Sequence, residues 1–262
     1  MSAESDSAEE SLAEGTLLSH LIELRSRLVK MFFAVIGVFI LLVPFSQRIF
    51  EFVSLPLVRV LPGGKMIATA PASPLLTPFK LSFFVALFIA MPVVLYQVWA
   101  FVAPGLYRKE KRFAVPLLAT SIVLFYAGIA FAYFVVFGLV FGFFASVVPP
   151  GVEMMTDISE YLDFITKIFL AFGVAFEVPI ATVLIVWTGL TTTQKLGKAR
   201  PYVFLLAFVV GMFLTPPDVI SQTLLAVPIY ILYELGIFMS KIFVRRESDE
   251  EAVAADSGGN AT

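Results

Sequence analysis

The stretch Trp99–Arg112 reads WAFVAPGLYRKEKR and sets one carboxylate, Glu110, among four cations, Arg108, Lys109, Lys111 and Arg112. Phe101 precedes these charges across a Pro104-Gly105 turn. A guanidinium group favours a planar carboxylate acceptor at close range, and an aromatic face adds an apolar or cation–π contact. On charge alone the same stretch is a loop that fixes topology. Glu23 lies in SHLIELRSRL, four residues before Arg27, so the two share the charged side of a helix. Glu177 stands inside the apolar run AFGVAFEVPIATVL. A carboxylate at membrane depth costs several kcal/mol unless hydrated, paired or protonated, which marks a functional site or a hydrated concavity. The alternative is a protonated carboxyl bonded to backbone freed by Pro179. Asp218 follows Pro217 at a helix start, where a carboxylate suits the unsatisfied amides. Glu234, in IYILYELG, is left without a role. His20 reads as a solvated interfacial residue.

Several chemistries are excluded. There is no cysteine and only one histidine, so thiolate sites, a bis-histidine haem and a two-histidine zinc site cannot form within one chain. No GxSxG elbow, HExxH helix or Gly-rich phosphate loop is present. An enzyme and a cofactor are therefore not expected.

The elements that must position these residues are membrane spans. The chain is 59% hydrophobic with 28 Phe and 15% charged residues, against about 45–50% apolar in soluble domains. Crossings of roughly 17–25 apolar residues are expected near residues 28–45, 81–98, 113–148, 162–190, 201–214 and 219–243. The third is longer than one crossing needs. The fifth, starting at Pro201, would reach only about 21 Å at 1.5 Å per residue and leave the bilayer thinned beside it. Residues 46–78 hold many prolines and read as an extramembrane cap with one short amphipathic helix near Gln47–Leu61. Leu17, Leu21, Leu24 and Leu28 share one face of an interfacial helix leading into the first span.

Lys and Arg cluster at the N-terminal flank (Arg25, Arg27, Lys30), after span two, after span four (Lys195, Lys198, Arg200) and at the end (Lys241, Arg245, Arg246). The positive-inside rule then places both termini in the cytoplasm, which six spans allow. The first fifteen residues lack the basic start of a cleavable signal peptide. Residues 1–16 and 247–262 are acidic, polar tails expected to be disordered. They flank a membrane domain over residues 17–246.

SHLIELRSRL, SPLLTPFKLSFFVAL, MPVVLYQVWAFVAPGLYRKEKR, AFGVAFEVPIA, KARPYV and FVVGMFLTPPDVISQTLLAVPIY stand in this order. Together they resemble the blocks of the TatC family, the polytopic components of the twin-arginine protein translocase. The resemblance covers Leu17 to Arg245. It implies an all-α, six-helix, glove-shaped membrane protein with a concave face in the bacterial inner membrane. It implies a receptor for signal peptides with two consecutive arginines. Such proteins export folded cargo, driven by the protonmotive force, together with single-span TatB and TatA. Multiple copies per complex and contact with membrane lipid are implied; no nucleic acid partner is. Family recognition positions fall on Phe101, Glu110 and Glu23, the intramembrane carboxylate on Glu177, and the PPD turn on Asp218. The residues taken alone leave two other classes open: an ion-coupled transporter using Glu177, and a structural scaffold for other subunits.

Overall fold

The computed structural model describes residues 2–60, 66–102, 111–152, 155–215 and 218–258. Within them the chain is helical. Helices α1 (Ser2–Leu42) and α2 (Ser46–Val60) are joined by a 3-10 turn, Val43–Phe45, and α3 spans Ser73–Val102. Then come α4 (Lys111–Phe131), a π turn (Ala132–Val136), α5 (Phe137–Val147), α6 (Ile158–Ala175), α7 (Val178–Trp187), α8 (Thr193–Leu214) and α9 (Val219–Gly258). Among the described residues there is no strand, only an isolated bridge between Ile67 and Asp157. Six stretches are long and apolar enough to cross a bilayer: His20–Leu55, Ser73–Phe101, Val115–Val147, Ile158–Trp187, Thr193–Leu214 and Val219–Ile242. Hydrocarbon offers no partner to backbone amides, and helices supply their own.

The spans lie where the apolar runs place them, with corrected ends. The fifth helix starts at Thr193, not Pro201, and its 22 residues reach about 33 Å, so no thinning of the bilayer is required. The Thr192 hydroxyl caps it, accepting from the Lys195 amide at 3.3 Å. Lys195, Lys198 and Arg200 therefore lie on the helix, not in a loop, and their long stems let the charges reach past apolar surface. The third span contains the π turn. The fourth is broken at Glu177, because Pro179 has no N–H to offer the carbonyl four residues back.

The chain divides into two compact units. The first comprises Met1–Phe50 and Pro78–Ile122. In it α1 and α3 run antiparallel: His20 meets Phe101, Arg27 meets Gln97, and Phe39 meets Phe83. Trp99 Nε1 donates to the buried Ser121 hydroxyl at 2.9 Å, fastening α3 to α4. Phe32, Phe33, Ile40 and Leu41 of the first span are exposed, as suits a surface solvated by lipid.

The second comprises Glu51–Thr77 and Val123–Thr262. Phe125, Phe137 and Phe172 are fully buried with Leu162, Ile165 and Ile168. Lipid tails are as apolar as these rings, so close fit, not escape from water, stabilises such contacts. Close fit needs small residues. A Cβ on Gly128 would stand 2.5 Å from the Phe172 carbonyl oxygen. A Cβ on Gly236 would overlap the Thr182 hydroxyl and come within 2.9 Å of Pro179 Cα. Outside the spans, Asp157 caps α6 through the Ser159 amide at 2.7 Å and holds the Thr69 amide and hydroxyl, each at 2.7 Å. Bonds from the Thr69 hydroxyl first, then from the Thr69 amide, hold its carboxyl down at about 2. Tyr161 donates to the Val53 carbonyl at 3.0 Å, tying α2 to α6.

Candidate functional site

In the first unit, Glu23 and Arg27 meet on one helix face as their i, i+4 spacing requires. Glu23 Oε1 accepts from Arg27 Nε at 3.0 Å and from Nη2 at 2.5 Å. The third nitrogen, Nη1, donates to Gln97 Oε1 on α3 at 3.2 Å. The Arg27 side chain is only 19% exposed, whereas Glu23 keeps 43%. Gln97 is buried. The sequence presents Glu23 as an open carboxylate at a span mouth; the structure shows one of its oxygens already engaged by a guanidinium of its own helix. Oε2 accepts nothing among the described residues.

Phe101 lies at the same end of the α1–α3 pair. Its ring stacks on His20 with centroids 4.3 Å apart and planes inclined by 22°. His20, read as a solvated residue, is exposed but holds this aromatic contact. Glu23 thus lies on α1 between two crossings to the C-terminal end of α3, His20 on Phe101 and Arg27 on Gln97. Glu110, with Arg108 and Lys109, lies outside the described residues. Lys111 opens α4.

Glu177 sits elsewhere, in the second unit, at the break between α6 and α7. Its amide donates to the Val174 carbonyl at 3.0 Å, and its carbonyl accepts from Ala181 at 2.9 Å. Its side chain is half-buried, with Oε1 removed from solvent. Asp218 Oδ1 accepts from the Ser221 amide at 2.6 Å, the geometry of a helix cap at the start of α9. Glu234 gains the role that its position alone did not give. Both its oxygens take Arg200, Nε at 2.6 Å and Nη2 at 2.8 Å, and Tyr230 donates to Oε1 at 3.0 Å. Sequence reasoning missed Gln97, Trp99–Ser121 and Arg200–Glu234 as pairings, since each joins residues far apart in the chain.

Six helices long and apolar enough to cross a bilayer, among the described residues, define a multi-pass membrane protein. Residues 19–228 match the family described as Sec-independent protein translocase protein (TatC). Among relatives carrying that name, the protein of Azotobacter chroococcum mcd 1 is 58% identical over 92% of this chain and 93% of its own length. That of Escherichia coli (strain K12) is 56% identical over 90% and 92%. A solved structure described as the crystal structure of the twin-arginine translocase receptor TatC superposes with a TM-score of 0.78 at 37% identity, covering 85% of this chain and 98% of the other. The chain belongs to the TatC family, and as such is a transport protein, a component of the Tat translocase.

Proposed function

We propose that this chain is the signal-peptide receptor of its translocase, taking paired arginines at the end of the α1–α3 pair. The observation that carries the reading is the site itself. Glu23 offers a half-exposed carboxylate with Oε2 uncommitted among the described residues, one helical turn from His20, which stacks on the Phe101 ring. The same carboxylate already accepts one guanidinium, Arg27, so it has the chemistry a second would need. Glu110 is the second acceptor in this reading. Arg108, Lys109, Lys111 and Arg112 around it oppose peptides of the wrong charge pattern.

The distribution of Lys and Arg supports placing this end, and both termini, in the cytoplasm of a cell whose inner membrane holds the six spans. Family membership supports folded cargo, the single-span partners TatB and TatA, several copies per complex and the protonmotive force as the drive. Glu177 would be the polar position along the path of the apolar part of the signal, and Asp218 a structural or partner contact.

Full-length protein in detergent should bind an immobilised peptide carrying RR and discriminate against its KK counterpart. A transporter or scaffold would treat the two alike. In cells, Glu110→Lys should abolish export of twin-arginine substrates while membrane insertion stays normal. Wild-type export by Glu110→Lys and Glu110→Arg would remove Glu110 from the site.

A further inference from the structure

The first unit fills its own acceptor. Arg27 presents two nitrogens to a single oxygen of Glu23 and anchors the third on buried Gln97. We propose that Arg27 is an internal competitor for Glu23, and that this competition makes the site choose paired guanidinium groups over paired ammonium groups. The inference rests on the docking reading above and adds the residue that sets its specificity.

The geometry carries it in three steps. Arg27 is mostly buried and held from two sides, so its guanidinium is a resident of the site and not a passing surface contact. Its grip on Glu23 is incomplete, because both donors converge on Oε1. An incoming arginine can do better, laying its planar fork across both carboxylate oxygens. A lysine cannot, since an ammonium is a compact point charge without a rigid pair of donors. A ligand that takes both oxygens must displace the resident guanidinium from Oε1, a threshold which arginine passes and lysine fails. When displaced, Arg27 keeps its bond to Gln97 and is not left buried without a partner. Specificity here comes from what the wrong ligand must replace as much as from what the right one gains.

The test measures binding of three synthetic peptides, identical except for RR, KK or QQ, to the full-length chain in detergent. Wild type, Arg27→Gln, Arg27→Lys and Glu23→Gln are compared after thermal melts confirm folding. Removing Arg27 also removes a positive charge, which strengthens binding of any cationic peptide, so the readout is the ratio of RR to KK affinity. Arg27→Gln should raise KK binding and lower that ratio by about tenfold. Arg27→Lys retains the charge but loses the fork, and should lower the ratio too, which keeps the test open if Arg27→Gln fails to fold. A ratio equal to wild type in both variants overturns the proposal. So does equal weakening of RR and KK, the mark of a merely structural residue. If wild type does not discriminate RR from KK, or if Glu23→Gln leaves RR binding intact, the docking reading falls and this inference with it. The two failures are thus told apart by wild type and Glu23→Gln alone.

Discussion

Each unit holds an arginine–glutamate pair, and the two are built differently. Arg200 and Glu234 join α8 to α9, fork to carboxylate, with both oxygens engaged and Tyr230 adding a third donor. Nearby, Tyr233 donates to the Leu196 carbonyl at 2.7 Å, a second tie between the same helices. Arg27 and Glu23 lie on one helix, and their bonds converge on one oxygen. In the first arrangement both carboxylate oxygens are held by donors from the partner helix's arginine, so it fastens a helical hairpin. The second joins no helices by itself, and only Gln97 makes it reach α3. A closed pair is a fastener, whereas an open pair is a place where something else can bind.

This contrast can be broken by substitution, starting where the effect should be greatest. Gly236→Val attacks the frame of the second unit, driving side-chain atoms into Thr182 and the Pro179 backbone. It should cost about 1–3 kcal/mol, read as a lowered thermal midpoint in detergent and reduced yield. An unchanged midpoint would mean that α7 and α9 are not held as closely as drawn. Glu23→Gln should weaken RR-peptide binding by about tenfold and leave the midpoint nearly unmoved. Glu234→Gln should do the reverse. Both partners are substantially exposed, so the stability lost is about 1 kcal/mol or less, and peptide affinity should stay at wild type. A pair of variants that moved both readouts together would erase the distinction between fastener and dock.

The smallest effect is expected outside the membrane. Asp157→Asn loses acceptor strength toward Thr69 and the first amides of α6, lowering the midpoint by a few degrees at neutral pH. The wild-type carboxyl is held below its ordinary value of 3.8, at about 2, so its contribution is complete above 3.8 and is lost as pH falls through about 2. Melts of wild type and Asp157→Asn should therefore converge as the acid limit is approached. Curves that stay parallel down to that limit would show that Asp157 adds nothing through its charge.

The six spans were legible because apolar runs broken by prolines, glycines and basic clusters carry strong local signals. The Glu23–Arg27 contact was legible too, since four residues on a helix fix neighbours. The start of α8 was not, because Lys195, Lys198 and Arg200 lower the hydropathy of turns that are nonetheless helical. Partners from distant segments were also invisible. Arg27 and Gln97 are 70 residues apart, and Arg200 and Glu234 are 34 apart. Periodicity along one chain has nothing to say about such pairs. Glu177 could be singled out by its apolar surroundings, but the break in the helix beside it required Pro179 to be weighed against the long hydrophobic run around it.

The π turn at Ala132–Val136 accommodates an extra residue within the third span. Each residue of an α-helix advances the face by about 100°, so this one sets the phase of everything after it. Phe137 reaches Phe169, and Phe141 reaches Tyr161 and Phe164, only in that phase. The widened turn thus has the character of an insertion that the aromatic stack has grown around. Shortening the span by one residue there would rotate the stack away from α6, so in this stretch length is under tighter constraint than residue identity.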